Sequence, residues 1–302
     1  MEATNKKTNS RQPSVVILII THKPQLHDYE QISIKQCYRI LGNYPIVFVC
    51  PDDLDTSFYQ ETFPNCDIHC IPPKWQKNYK QFARLKMSPL LYEHYKSYEY
   101  ILFYEPDAFV FKDKMDYWCS LGYSYIGAPW FMGMSDAKEN AAFLGVGNGG
   151  FSLRKIEDHL KVIYSHKRIF YKRDFWLFWN WSRNKPLQIL KFFYRYIVGN
   201  STYHHLNNFQ WGEDRFWGLY VSRAFEWFTT PPLEVARKFS IETLPNKLYK
   251  DNNQQLPFGC HAWWRYDLEF WRPHIEEFGY DLGENDLQNK DSEQVFPQNF
   301  GH

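Results

Sequence analysis

The chain has 302 residues, enough to bury an independent core without disulfides or a structural metal. Lys plus Arg total 35 against 34 Asp plus Glu, a net charge of +1, which excludes an acidic solvating chain and gives no global basic field for nucleic acid. Hydrophobic residues make up 44% and aromatics 20%, which excludes a chain disordered along its bulk.

Met1 to Gln12 is polar, lacks the apolar core of a signal peptide and reads as a loose tail. Val15 to Ile20 is a continuous apolar, β-branched run ending at Thr21-His22-Lys23-Pro24, which suits a strand buried on both faces of a parallel sheet. A helix is predicted from about Asp28 to Leu41, closed by Gly42-Asn43, and then a strand from Ile46 to Cys50 ending in Pro51-Asp52-Asp53. Gln81 to Tyr95 reads as helix across Pro89, and Tyr100 to Tyr104 as a third strand. This alternation predicts a doubly wound α/β half of nucleotide-binding type, with ligand outside the carboxyl ends of the strands. Those ends carry Thr21 to Lys23, Asp52 and Asp53, and Glu105 to Asp107. GxxxxGK[ST] does not occur and no GxGxxG follows any of these strands, so dinucleotide and P-loop sites have little support.

Ser124 to Trp130 is expected as a short strand leading into a loop over Phe131 to Asn140. From Gly145 to Gly150 four glycines fall within six residues, and Phe-Ser-Leu-Arg154 then leads into a helix expected from about Lys155 to Ser165. Residues 161–196 hold nine Lys or Arg and one Asp, interleaved with Phe, Tyr, Trp176, Trp179 and Trp181. Asn208 to Trp217 opens a helix running to about Phe225, Leu256 to Trp264 reads as a loop, and the chain turns polar after about Leu282. No run approaches the ~20 apolar residues of a spanning helix. The six cysteines lack CxxC spacing and read as the reduced thiols of a cytoplasmic protein. Cys66, His69 and Cys70 lack the second cysteine pair of a zinc cluster, and Asn200-Ser201-Thr202 matches a glycosylation acceptor without a secretory signal to use it.

Chemistry concentrates in three places. Glu105-Pro106-Asp107 ends a buried strand, and residues i and i+2 of an extended chain face the same side, so both carboxylates can meet one divalent cation. Acidic pairs at strand ends are also ordinary solvated turns, so spacing alone leaves both readings open. Gly147-Asn148-Gly149-Gly150 lets backbone approach a ligand closely, or simply makes a tight turn before a helix. Glu213-Asp214 follows Trp211-Gly212 at a predicted helix start, where the dipole favours ionised acids; it serves as a cap or as a base over an acceptor hydroxyl. His261, in an aromatic loop, is by itself more commonly structural than a ligand.

The order of these pieces resembles the GT-A-fold glycosyltransferases, and is most similar to a family of bacterial glycosyltransferases defined mostly by sequence. The resemblance spans Val15 to Asp281, and its most specific segments are Tyr100 to Phe111, Gly145 to Arg154 and Gly212 to Trp217. It implies an α/β fold with a Rossmann-type half and a mixed central sheet: a nucleotide-binding half over 13–115 and an acceptor half over 116–282, between tails 1–12 and 283–302. In such enzymes an acidic-x-acidic motif holds Mn²⁺ or Mg²⁺ on the diphosphate of a nucleotide sugar. Glu105 and Asp107 stand at that motif, with Glu in place of the usual first Asp, and His261 matches a late His that completes the metal shell in some branches. The implied catalytic base is Asp214, with Glu213 second, which favours inverting chemistry; a retaining enzyme does not need that base.

On the donor side the resemblance implies Thr21 near the nucleoside, Asp52 at the base or ribose, and Arg84 and Lys86 near the nucleotide, although a turn carboxylate and a charged helix face explain the last three equally well. Asn148 and Gly149 are expected at the donor sugar or acceptor. The implied partners are a UDP- or GDP-sugar and a glycan or lipid-linked acceptor, with no nucleic acid, in bacterial surface polysaccharide synthesis. The implied location is cytoplasmic, with 161–196 as a peripheral contact at the inner face of the membrane; an acceptor groove or a core helix fits that segment nearly as well. Rival classes are a metal-dependent nucleotidyltransferase or phosphohydrolase, which would also use Glu105 and Asp107, and an inert carbohydrate-binding protein, which would leave the acidic residues unexplained.

Overall fold

The computed structural model describes residues 14–63, 66–165, 167, 185–194, 202, 206, 209 and 212–283. Four strands, β1 (Val15–Ile20), β2 (Ile46–Pro51), β3 (Asp67–Ile71) and β4 (Tyr100–Tyr104), lie parallel in the order β3-β2-β1-β4. All six residues of β1 are buried, because its even-numbered side chains enter one hydrophobic cluster and its odd-numbered ones another on the opposite face. Burial on both faces is why the run shows no polar alternation. The helix Asp28–Leu41 carries the chain from β1 to β2 as predicted, with His27 and Glu30 forming a capping box at its start. Strand order reverses between β1 and β4, and such a reversal opens a crevice at the carboxyl edge of the sheet.

Seven further strands complete the scaffold among the described residues: β5 (Ala108–Val110), β6 (Tyr125–Ile126), β7 (Ala128–Phe131), β8 (Phe143–Gly147), β9 (Phe151–Lys155), β10 (Ser240–Ile241) and β11 (Gly259–His261). β9 runs antiparallel beside β4, with Tyr104 opposite Phe151, and β6 runs antiparallel beside β9. The central sheet is therefore mixed, and the molecule is the mixed α/β fold that the resemblance implies. β7 and β8 form a hairpin, while β10, β11 and β5 form a third sheet.

Several local expectations change. The single helix over Gln81 to Tyr95 is two helices, Tyr79–Leu85 and Pro89–His94, because Pro89 occupies a first turn, where its missing N–H costs nothing. The glycine-rich segment joins β8 to β9 rather than turning directly into a helix, and the helix that follows is Ile156–Ile163. The strand expected over Ser124 to Trp130 divides at Gly127 into β6 and β7, and a Cβ there would lie 1.7 Å from the Gly147 carbonyl oxygen. The expected loop over Leu256 to Trp264 contains β11. The helix after Gly212 runs from Glu213 to Ala224 and widens to π geometry over Phe216–Val221.

No helix among the described residues is long and apolar enough to cross a membrane. The tail 1–12, the tail 283–302 beyond its first residue, and residues 166, 168–184, 195 and 196 of the basic aromatic segment lie outside the described residues.

Candidate functional site

Glu105 follows β4 directly, at the carboxyl edge beside the reversal of strand order. Its N–H donates to the Gly150 carbonyl (2.7 Å), so the Asn148–Gly150 turn is pinned against the acidic triplet. The Ala108 N–H donates to the Glu105 carbonyl (2.9 Å), closing a turn that sends the chain into β5 just after Asp107. β5 pairs antiparallel with β11, and the register sets His261 opposite Ala108. Two three-residue strands thus bring the late histidine to the acidic pair.

His261 Nε2 lies 3.0 Å from Asp107 Oδ1 and 3.5 Å from Glu105 Oε2. One ligand atom from each of Glu105, Asp107 and His261 falls within 4.8 Å of the others. Nε2 is buried without a well-aligned hydrogen bond, whereas Nδ1 sits 2.9 Å from Glu242 Oε1. An imidazole lone pair and two carboxylates converging on one point, with the other imidazole nitrogen tied to a third carboxylate, is a donor set for a divalent cation. Burial opposes charge on Glu105, but Lys86 and His261 outweigh it and hold the carboxyl well below the usual range. Burial likewise opposes charge on Asp107, and His261 and Arg265 keep it low. Burial would lower the His261 pKa, yet Asp107, Glu105 and Glu242 raise it well above the ordinary value, so a proton and a cation compete for one place.

Lys86, 1% exposed, lies beneath this cluster. Its ammonium bonds Glu105, donates to the Gly149 carbonyl at 3.1 Å and lies 3.4 Å from Glu213 Oε1. Burial disfavours its charge, but Glu105 and Glu213 more than compensate. Arg154, fully buried on β9, donates to Glu213 Oε1 (2.9 Å), the Ser152 hydroxyl (3.1 Å) and the Tyr92 hydroxyl (3.2 Å). Glu213 is thereby engaged by two buried cations. Its carboxylate fills the space beside Gly149, where a Cβ would lie 2.2 Å from Oε1.

Asp214 points differently. Its Oδ2 accepts from the Gly149 N–H (3.2 Å) and its Oδ1 from the Arg215 N–H (2.8 Å). Burial, followed by the charges of Glu213 and Glu242, pushes its pKa up to about 7. The Tyr79 phenol, half-buried, faces the same carboxylates, and burial together with Asp214, Glu213 and Glu105 raises its pKa.

The expected site residues therefore divide. Glu105, Lys86, Asp107, Gly149, Glu213, Asp214 and His261 come together around one turn. Asn148 builds that turn: it is left-handed (φ 75°), fully buried, and its Oδ1 accepts from the N–H groups of Gly150 (3.0 Å) and Phe151 (3.1 Å). Thr21, buried at the end of β1, shares a 3.1 Å hydrogen bond with Tyr59. Asp52 is exposed in the turn after β2, and Arg84 is half-buried on the helix Tyr79–Leu85. Sequence reasoning passed over Tyr79, Arg154 as a buried partner, and Glu242. Only Arg154, inside the quoted Phe-Ser-Leu-Arg run, carried any signal.

The chain belongs to the family described as protein of unknown function DUF5672, which matches residues 65–261. No curated protein matches it in sequence. Among solved structures it is similar to galactosyltransferase LgtC in complex with donor and acceptor sugar analogues, at 10% identity and TM-score 0.46 over 91% of this chain and 99% of that one. It is also similar to a glycosyltransferase involved in glycosylation of the major capsid of PBCV-1, at 12% identity and TM-score 0.43 over 87% of this chain and 100% of that one. A third is core-mannan synthase A from Aspergillus fumigatus in a Mn/GDP form, at 14% identity and TM-score 0.36 over 71% and 69%. These overlaps are loose, and the chemistry is read from the site itself.

Gly150 offers a direct check, because a Cβ there would lie 2.1 Å from His261 Nε2. Gly150→Ala is expected to push the imidazole off the acidic pair and weaken any divalent-cation binding there by roughly 10–100-fold, the usual cost of disturbing a ligand's support. Calorimetric titration measures this, and an unchanged affinity would remove His261 from the ligand set.

Proposed function

We propose that the protein is a divalent-metal-dependent glycosyltransferase that moves a sugar from a UDP- or GDP-sugar to a hydroxyl of a glycan or lipid-linked acceptor, with inversion. The observation that carries this reading is the Gly149–Gly150 turn, which separates a two-carboxylate–one-imidazole cluster from a single half-buried carboxyl poised near neutrality. A phosphate-binding cation beside a general base is what metal-dependent, inverting sugar transfer from a nucleoside diphosphate uses.

Glu105, Asp107 and His261 would hold the cation, and an imidazole in the set favours Mn²⁺ over Mg²⁺, which prefers oxygen alone. When bound, the cation stabilises the negative charge that develops on the departing nucleoside diphosphate. The acceptor oxygen bonds to the anomeric carbon as the carbon–oxygen bond to phosphate breaks, through an oxocarbenium-like state, and that electron pair leaves with the diphosphate. Asp214 takes the proton from the acceptor hydroxyl. A base works best with a pKa near the operating pH, and the value near 7 suits this role. Glu213, held by Arg154 and Lys86, keeps those cations in place instead.

The test is incubation with a panel of nucleotide sugars, Mn²⁺ and candidate glycan acceptors. Acceptor-stimulated, chelator-sensitive release of nucleoside diphosphate is expected. Release of pyrophosphate from triphosphates, or of inorganic phosphate, would instead make it a nucleotidyltransferase or phosphohydrolase, and no turnover of any donor would leave a binding protein. Asp214→Asn should retain donor binding and lose about 10²–10⁴-fold in transfer, the usual worth of a general base. The wild-type rate should rise with pH and level off above about 7, as Asp214 loses its proton, and Asp214→Asn should lack that rise. Near-normal turnover in the variant would contradict the assignment.

The family resemblance extends the proposal to surface polysaccharide synthesis in bacteria, with 161–196 touching anionic lipid at the inner face of the membrane. Exposed Ile189, Leu190 and Tyr194 on the helix Lys185–Tyr194, within a segment rich in Lys and Arg, support that contact. Co-sedimentation with anionic vesicles at low salt, reversed by high salt and weakened by replacing Lys172, Arg173 and Trp176, is the expected result. Absence of co-sedimentation at low salt would contradict it.

A further inference from the structure

Glu242 neither belongs to the proposed ligand set nor takes the acceptor proton, yet it contacts His261 on the side away from the acidic pair. We infer that Glu242, itself held by Trp130, fixes the tautomer and orientation of His261 so that Nε2 presents its lone pair to the cation; this rests on the metal-dependent reading. The placement follows from backbone register. β10 and β11 pair in parallel, Ser240 with Gly259 and Ile241 with Cys260, so Glu242 emerges from β10 alongside His261.

Both carboxylate oxygens are committed. Oε1 lies 2.9 Å from His261 Nδ1, and Oε2 accepts from the Trp130 indole N–H at 2.9 Å. Glu242 is thus a positioning residue, with one oxygen on His261 and the other on Trp130. Trp130 is itself fixed on β7, where its ring lies against Gly147 so closely that a Cβ there would come within 2.4 Å of it. The chain of contacts therefore runs from the β7–β8 hairpin through indole, carboxylate and imidazole to the cluster.

The chemistry requires such a partner. A neutral imidazole can bind a cation through Nε2 only with its proton on Nδ1, and a carboxylate accepting from Nδ1–H both selects that tautomer and increases the donor strength of Nε2. Without Glu242, the His261 ring is free to adopt the other tautomer or to turn away, and its packing against Gly150 no longer specifies a productive pose.

The experiment is calorimetric titration of Mn²⁺ into the full chain and its variants, with thermal unfolding in chelator as the control for folding. Glu242→Ala is expected to bind Mn²⁺ about 10–100-fold more weakly, with its unfolding midpoint in chelator close to that of wild type. Glu242→Gln keeps an oxygen that can accept from Nδ1–H and should recover most of that affinity. Trp130→Phe keeps the ring and removes the N–H, so a loss smaller than that of Glu242→Ala is expected. Wild-type affinity in Glu242→Ala overturns the inference. So do equal losses in Ala and Gln accompanied by a lowered midpoint, which would make Glu242 a structural residue. If wild type binds no Mn²⁺, the metal reading fails first, a distinguishable result.

Discussion

A backbone hydrogen bond from the Glu105 N–H to the Gly150 carbonyl joins the acidic triplet to the turn around which the candidate site is built. It extends the β4–β9 ladder one step past the strands and presses a turn of three residues against the acidic triplet. Asn148 can make that turn because it tolerates the left-handed conformation and its side chain bonds the two N–H groups that follow. Gly149 and Gly150 then leave out the two side chains that would exclude Glu213 and His261. The Gly149 N–H holds Asp214 on one side of the turn while His261 packs at Gly150 on the other. The spacing between Asp214 and the cluster is therefore set through the backbone of this turn.

Charge balance explains why the acids behave differently. Lys86 and Arg154 are buried against Glu213 and the half-buried Glu105, and burying such cations is tolerable only when each is paired and hydrogen-bonded. Asp107 and Glu242 have His261 between them. Asp214 meets backbone N–H groups instead, next to two carboxylates, so it is the acid whose pKa rises to about 7. Of two neighbouring acids in sequence, Glu213 thus pairs with buried cations and Asp214 does not.

The strands β1, β2 and β4 and the helix Asp28–Leu41 were legible because each carries a long local signal: an unbroken apolar run, or helical periodicity closed by a glycine. Glu105 and Asp107 were legible for the same reason, since two acids at i and i+2 after such a run form a local pattern. Most of the remaining site is built from contacts between distant, short segments. β5, β10 and β11 have two or three residues each, too few for any periodicity, yet their registers deliver His261 and Glu242. Lys86 looked like a charged helix face because its burial depends on Glu105 and Glu213, far away in sequence. Asn148 stood among glycines that suggested ligand approach, and only its left-handed backbone shows what the side chain is occupied with.

The most direct test of the central claim is the anomalous difference map from crystals soaked with Mn²⁺ and a nucleoside diphosphate. A single strong peak is predicted in contact with Glu105, Asp107 and His261, touching the diphosphate and absent in Asp107→Ala crystals. A nucleotide bound without a peak at these residues, or a peak unchanged in the variant, would contradict the account.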